Sequence, residues 1–479
     1  MRSREPRLWS NESGASWHRV GRLVDANGIA QTVMAQLTGG VFLTGFALAL
    51  GAGPLAIGAI SAIPLAAKGS QLFLSWLVER AGHWKQAALS CAIIARGAYL
   101  FIPLLPFLPA ASNWRVGSLI AVLIAASLAA AVYELAFLTW MAELIPEPLR
   151  GVFWGLRGRN AGLVGIVASI VAAALIDRGG PSGGGNPARF AVVFGTAAAI
   201  GLGGAAFIRL LPTPRRQHSR EHPAAMRNLL SAPVRDENFR RFIGFSALWS
   251  FASGSMAPFY MVYLLRQLHL SFVIVTLLTA LTNILMAVTQ THWGRLGDHF
   301  GTKPVLRVGA YLIGLTPLVW LTTAPGRAWP IVLVQVLSGV GWSAFHVSQN
   351  NLALKLAPER RRPSYLALFG AVSGFAEGAG PIAIGGLLSL AGGNEIPGMG
   401  AFRFLMLGQF ILFAAATFAP GWIMEPGGRP VGHLIRVMAR FRTMDTSRPI
   451  SLVFEYGYTH LARVADMIAL EFPRDAETL

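Results

Sequence analysis

The 479-residue chain has one cysteine, Cys91, and little charge: Asp, Glu, Lys and Arg together make up 13% of it. One thiol closes no disulfide framework and supplies no cysteine zinc site. Charge at about half the soluble norm of ~25% cannot coat the roughly three soluble domains that this length would otherwise form. No Gly-x-x-x-x-Gly-Lys-Ser/Thr loop occurs, which argues against an internal ATPase motor. No His, Cys and Asp cluster has metal-ligand spacing, and no nucleophile–base constellation stands out, so an enzyme, a metal site or a cofactor is not expected. Residues 1–26 carry Arg2, Arg4, Arg7, Arg19 and Arg22 but no apolar core of about 7–15 residues. The first apolar segment should therefore insert and remain.

What is present is apolar residue, 54% of the chain. A helix that crosses a bilayer needs ~20 mostly apolar residues. Twelve such stretches are predicted, at 28–50, 54–79, 86–109, 115–145, 151–178, 188–211, 240–266, 271–296, 303–323, 328–357, 363–391 and 401–424. The fold class expected is an all-α membrane protein of twelve transmembrane helices. Its predicted organisation is an N-terminal tail (1–27), a six-helix bundle (28–211), a linker (212–239), a second six-helix bundle (240–424) and a tail (425–479).

The net charge of +18 would ordinarily suggest nucleic acid. Here the distribution decides. Thirty of the forty Lys and Arg fall on the side of the termini, six on the other side, and four (Lys68, Arg96, Arg157, Arg159) within spans. That bias predicts both termini in the cytoplasm of a plasma membrane, the inner membrane in a bacterium, without nucleic acid as a partner. In the tail, Leu434, Val437, Met438 and Phe441 recur at helical spacing among Arg436, Arg440 and Arg442, the pattern of an interfacial amphipathic helix.

Two pairs of marks repeat. Glu79 in SWLVERAG ends the second stretch, and Asp298 in GRLGDHFG ends the eighth. Pro146-Glu147 follows the fourth, and Pro358-Glu359 follows the tenth. Two marks at equivalent places imply duplicated six-helix halves.

At this point the chain resembles the major facilitator superfamily of secondary transporters. Gly294, Leu296, Asp298, Gly301, Lys303 and Leu306 match that family's loop signature, Gly-x-Leu-x-Asp-Arg-x-Gly-Arg-Lys-x-x-Leu, while His299 and Thr302 depart from it. The first-half copy keeps Leu77, Arg80 and Gly82, with Glu79 in place of Asp. The resemblance implies two halves that rock about a central site, with Glu79, Arg80, Gly82, Gly294, Asp298, Gly301 and Lys303 as gating residues. A Gly-Pro antiporter signature is missing from the fifth stretch. A related string, Gly380-Pro381 to Gly385-Gly386, lies in the eleventh.

Charges inside spans are costly and mark functional candidates. Lys68, Arg96 and Glu134 fall ~15–16 Å from the inner ends of their helices, near the midplane. Glu134 is either a proton-coupling site or half of a static pair with Arg96 or Lys68. Arg157 and Arg159 lie nearer the inner end. His346 with Gln349 and Asn350 forms a polar stripe at i, i+3 and i, i+4, Glu377 lies midway along the eleventh stretch, and Asn283 is in the eighth. Arg96 reads as structural; the others are substrate or coupling candidates. The surplus of cations suggests an anionic or zwitterionic small molecule. Tyr260 and Tyr263 read more readily as membrane-interface anchors than as gate aromatics.

The function expected is secondary active transport of a small solute by alternating access, coupled to protons, in a monomer in the lipid bilayer. Two alternatives stand beside it. One is a lipid, amphiphile or drug efflux carrier; the other is a non-transporting receptor of the same fold.

Overall fold

The computed structural model describes residues 13–71, 74, 84–109, 111–145, 147–178, 186–212, 232–393, 395, 398–418 and 423–425. Among them lie twelve helical segments in two sets of six. The first set is α1 (Ser13–Leu37, continued by Gly40–Ala49), α2 (Pro54–Gly69), α3 (Trp84–Ala98, continued as a 3-10 helix over Tyr99–Phe107), α4 (Ser112–Leu144), α5 (Glu147–Asp177) and α6 (Pro187–Arg209). The second is α7 (Glu237–Val262, ending in a π turn over Tyr263–Gln267), α8 (Phe272–Phe300), α9 (Thr302–Gly314, continued by Thr316–Trp320), α10 (Pro330–Leu356), α11 (Arg362–Gly392) and α12 (Met399–Phe418).

Local chemistry accounts for many of the boundaries. Pro54, Pro187 and Pro330 occupy the first turn, where the missing N–H costs nothing. Asn186, Asp236 and Ser271 accept from backbone N–H groups two or three residues on and cap α6, α7 and α8. Gly301 joins α8 to α9 at φ +96°, a conformation open to glycine and costly for other residues.

Eight of the helices are long and apolar enough to cross a membrane, and the bent pair within α1 makes a ninth. The expected first span differs in detail. Its helix begins at Ser13 and bends by 41° at Thr38–Gly39. Its polar residues Asp25 and Asn27 are thereby carried into the bundle. α7 and the broken α9 fall short of the apolar criterion, and α2 is described over 16 residues only.

The repeat implied by the sequence marks reappears in the packing. α1 packs on α5 and α6, α2 on α4, and α3 on α4 and α6; α7 on α11 and α12, α8 on α10, and α9 on α10 and α12 follow the same scheme. Between the sets, α2 lies along α11 and α5 along α8, again an equivalent pair. The α2–α11 seam is a close backbone contact. A Cβ added to Gly385 would lie 2.6 Å from the Pro54 carbonyl oxygen, and one on Gly374 would lie 2.7 Å from the Gly69 nitrogen. Small residues of this kind let membrane helices approach where no hydrophobic drive separates helix from lipid.

The core is unevenly divided. At the end of the bundle away from the termini, one apolar cluster joins both sets: Phe46, Phe190 and Phe194 from the first, Phe259, Tyr263, Phe272 and Phe402 from the second. At the other end there are two clusters, each from one set. Tyr133, Phe137, Trp140 and Leu211 build one; Phe239, Phe242, Trp249, Phe345 and Ile423 build the other. Among the described residues the halves therefore share one apolar cluster at one end and build separate clusters at the other. Trp114 and Trp329, at the starts of α4 and α10, are exposed at the sealed end, where aromatic belts sit at a lipid–water boundary.

Candidate functional site

A cavity of about 180 Å³ opens among α1, α2, α3 and α4, lined by Gln31, Thr38, Lys68, Arg96, Tyr133 and Glu134 together with apolar residues. Three of the charged residues singled out from the sequence thus share one cavity. Lys68 and Glu134 are exposed to it, whereas Arg96 is 4% exposed.

Arg96 is held by neutral partners. One terminal nitrogen donates to the Gly201 carbonyl at 2.9 Å, and the other to Asn27 Oδ1 at 3.0 Å. Its guanidinium lies 5.1 Å from the Tyr133 ring centre. Asn27 donates in turn to the Tyr133 hydroxyl at 3.0 Å, and that hydroxyl donates to Gln31 Oε1 at 3.3 Å. This network ties α1, α3, α4 and α6 together. Arg157 lies against Gly28 of α1, between the rings of Trp154 (5.0 Å) and Phe137 (5.7 Å). Asp25, close enough to act on Arg157 electrostatically, accepts from Asn160 Nδ2 at 3.2 Å. Arg159 is exposed, with a long contact of 3.4 Å to Asn160 Oδ1.

Glu134 forms no ion pair with Lys68 or Arg96 within 4 Å. Its hydrogen-bond partner among the described residues is Gln71, whose Nε2 donates to it at 3.5 Å. From the other half, Glu377 on α11 is close enough to Lys68 for their charges to interact. It sits where α11 passes between α2 and α7, with its backbone against Gly254.

His346 is exposed on α10 and stacks on Trp342 at 5.0 Å between ring centres. On α10, Phe345 and Gln349 face α7, while Gln335 and Gly339 face α8. Gln349 donates to Ser246 Oγ at 3.3 Å and is buried in the α7–α10 contact. Asn350 and Asn283 are exposed.

The reading of Tyr263 as an interface anchor is corrected. It is buried, and its hydroxyl lies 2.9 Å from Thr323 Oγ1 inside the sealed cluster. Tyr260 bonds to Gln409 and stacks on Trp320 at 4.6 Å. Of the gating residues, Glu79, Arg80 and Gly82 lie outside the described residues, as do the tail helix at 434–441 and the linker positions 213–231. Asp298 is exposed, and a Cβ on Gly294 would meet open space.

Two carboxylates not anticipated from the sequence cap helices. Asp177, the last residue of α5, accepts from the Phe272 and Val273 nitrogens of α8 at 2.9 and 2.8 Å. This joins the two halves at the sealed end. Glu425 accepts from the Thr302 and Lys303 nitrogens at 2.9 and 2.8 Å and from Lys355 Nζ at 3.0 Å. Burial pushes its carboxyl up, but those donors outweigh burial and hold it below the usual carboxylate range. Lys303 Nζ closes the corner by donating to the Ile423 carbonyl at 2.7 Å.

The described residues thus form paired six-helix sets with a seam of small residues, a cavity lined by charged side chains, and eight or nine helices long and apolar enough to cross a membrane. Residues 242–435 match the family model described as Major Facilitator Superfamily. The fold is shared with solved transporters. A variant of the nucleoside transporter NupG superposes with a TM-score of 0.68 at 14% identity, covering 85% of this chain and 100% of that one. A D-xylose-proton symporter gives 0.66 at 14% identity over 85% and 99%. A bacterial homologue of the iron transporter ferroportin, in an inward-facing state, gives 0.61 at 15% identity over 87% and 100%. No curated protein matches by sequence. The family match spans about two fifths of the chain, and the solved neighbours, at 14–15% identity, share its fold.

Proposed function

We propose that the chain is a proton-coupled secondary transporter that carries a small solute by rocking of its two halves. The observation that carries this reading is the position of the cavity. Glu134 and Lys68 line a cavity within one half, below the apolar cluster that joins the halves, and Glu377 of the other half is close enough to Lys68 for their charges to interact. With thirty of the forty Lys and Arg on the side of the termini, the termini face the cytoplasm and the membrane is the plasma membrane, the inner one in a bacterium. A cavity of about 180 Å³ is below the ~300–1,000 Å³ typical of drug-sized ligand sites, which favours a small polar cargo over a lipid or drug.

Glu134 is the proton carrier in this scheme. Among the described residues its hydrogen-bond partner is Gln71, at a long 3.5 Å. The test is solute-dependent proton movement into proteoliposomes, read with an internal pH dye over amino acids, sugars, nucleosides and organic anions. Glu134→Gln is expected to abolish solute-driven proton flux. Unchanged proton flux in that variant would remove Glu134 from the role. Binding without any turnover in the parent would favour a receptor.

A further inference from the structure

The transported species can be narrowed by asking which charges the cavity leaves available. Counting residues suggests a surplus of cations, but of the four only Lys68 and Arg96 line the cavity, and Arg96 is committed elsewhere. Arg96 gives its terminal nitrogens to the Gly201 carbonyl and Asn27, and Arg157 is enclosed by two aromatic rings and Gly28. Arg159 is not among the cavity-lining residues. Among the described residues, Lys68 offers an ammonium with no hydrogen bond or ion pair, and Glu134 an almost uncommitted carboxylate, from the walls of one cavity. They do not neutralise each other, since no ion pair within 4 Å joins them.

Separated opposite charges in a membrane interior are expensive, and a ligand that answers both recovers most of that cost. A lone anion at Lys68 would bring its charge toward Glu134 and Glu377, two carboxylates near one ammonium. A lone cation at Glu134 would meet the Lys68 ammonium. We propose that the cargo is a small zwitterion, its carboxylate taken by Lys68 and its ammonium by Glu134. The cavity volume limits it to a compact molecule such as an amino acid. This rests on the carrier reading above, and deepens it by naming the substrate class.

The experiment is ligand binding to the purified full-length chain, read by thermal stabilisation and calorimetry. The probes are alanine, β-alanine, γ-aminobutyrate, proline, leucine and phenylalanine, each beside its amide, which is cationic, and its N-acetyl form, which is anionic. At least one zwitterion is expected to bind about 10- to 100-fold more tightly than both derivatives, the range of one lost charged hydrogen bond. Lys68→Met should erase the discrimination against the amide, and Glu134→Gln the discrimination against the N-acetyl form. Lys68→Arg should restore the former, which a merely structural Lys68 would not. Equal binding of either derivative by the parent, or no zwitterion bound at 10 mM (about the weak limit for a small ligand), overturns the class. Flux of an anion or cation without zwitterion binding overturns the class and keeps the carrier. Zwitterion binding with no flux in proteoliposomes keeps the class and overturns the carrier.

Discussion

Removing the Asp177 carboxylate should unlatch the sealed end of the bundle. Asp177 ends α5 and accepts from two consecutive backbone nitrogens of α8, so its charge sits at a helix N-terminus that belongs to the other half. Asp177→Asn keeps one acceptor oxygen and loses the charge and the second acceptor. A hydrogen bond to a charged group contributes about 1.5–3 kcal/mol, which corresponds to a shift of about 10- to 150-fold in the equilibrium between sealed and open ends. An open form at ~1% would rise to ~10–60%. The assay is a distance distribution between spin labels at Asn113 and Arg327, exposed at the sealed end on opposite halves. The labels are placed through Asn113→Cys and Arg327→Cys with Cys91→Ser. The parent should show one short distance, and Asp177→Asn a second, longer one. An unchanged distribution in a folded Asp177→Asn protein would refute the latch.

Other consequences follow from the packing and the caps. Gly374→Leu should block the α2–α11 seam, where a Cβ already stands 2.7 Å from the Gly69 nitrogen; flux should fall while the protein still inserts, and normal flux would show that the seam yields. Arg96→Met leaves Asn27 Oδ1 and the Gly201 carbonyl without their donor and should cost about 1–3 kcal/mol, seen as a lower melting temperature in detergent. Glu425 has a folded-state pKa below its ordinary 4.5, so its contribution to stability is complete above that value and disappears as pH falls through the depressed one. Glu425→Gln should therefore melt lower than the parent at pH 7 and converge with it in acid; an unchanged gap at low pH would exclude the cap as its source.

The helices were legible because a bilayer demands long apolar runs, and the duplication because the strings around Glu79 and Asp298 recur at equivalent places in the sequence. Legibility ended where the argument needed direction around a helix axis. Depth along the chain put Lys68, Arg96 and Glu134 at one level, but only the packing of α1 to α4 decides that they share a cavity and that Arg96 spends its donors on α1 and α6. Asp25 and Asn27 were passed over because they precede the apolar run that opens at 28, although the helix starts at Ser13. Asp177 and Glu425 bond to main-chain nitrogens about a hundred residues away, and no side-chain pattern advertises a backbone partner. Tyr263 looked amphipathic in isolation; its partner Thr323 came from the broken end of α9.

The sealed end has a thermal consequence. Phe46, Phe190, Phe194, Phe259, Tyr263 and Phe272 close it largely by excluding water, so opening it wets apolar surface and raises the heat capacity. Such a seal weakens on cooling, whereas the Asp177 latch is electrostatic and does not share that dependence. The balance between the two access states should therefore be a curved function of temperature, with the sealed form losing ground in the cold. Adaptation to a colder or warmer habitat would act on those aromatic side chains before it acted on the charges of the cavity.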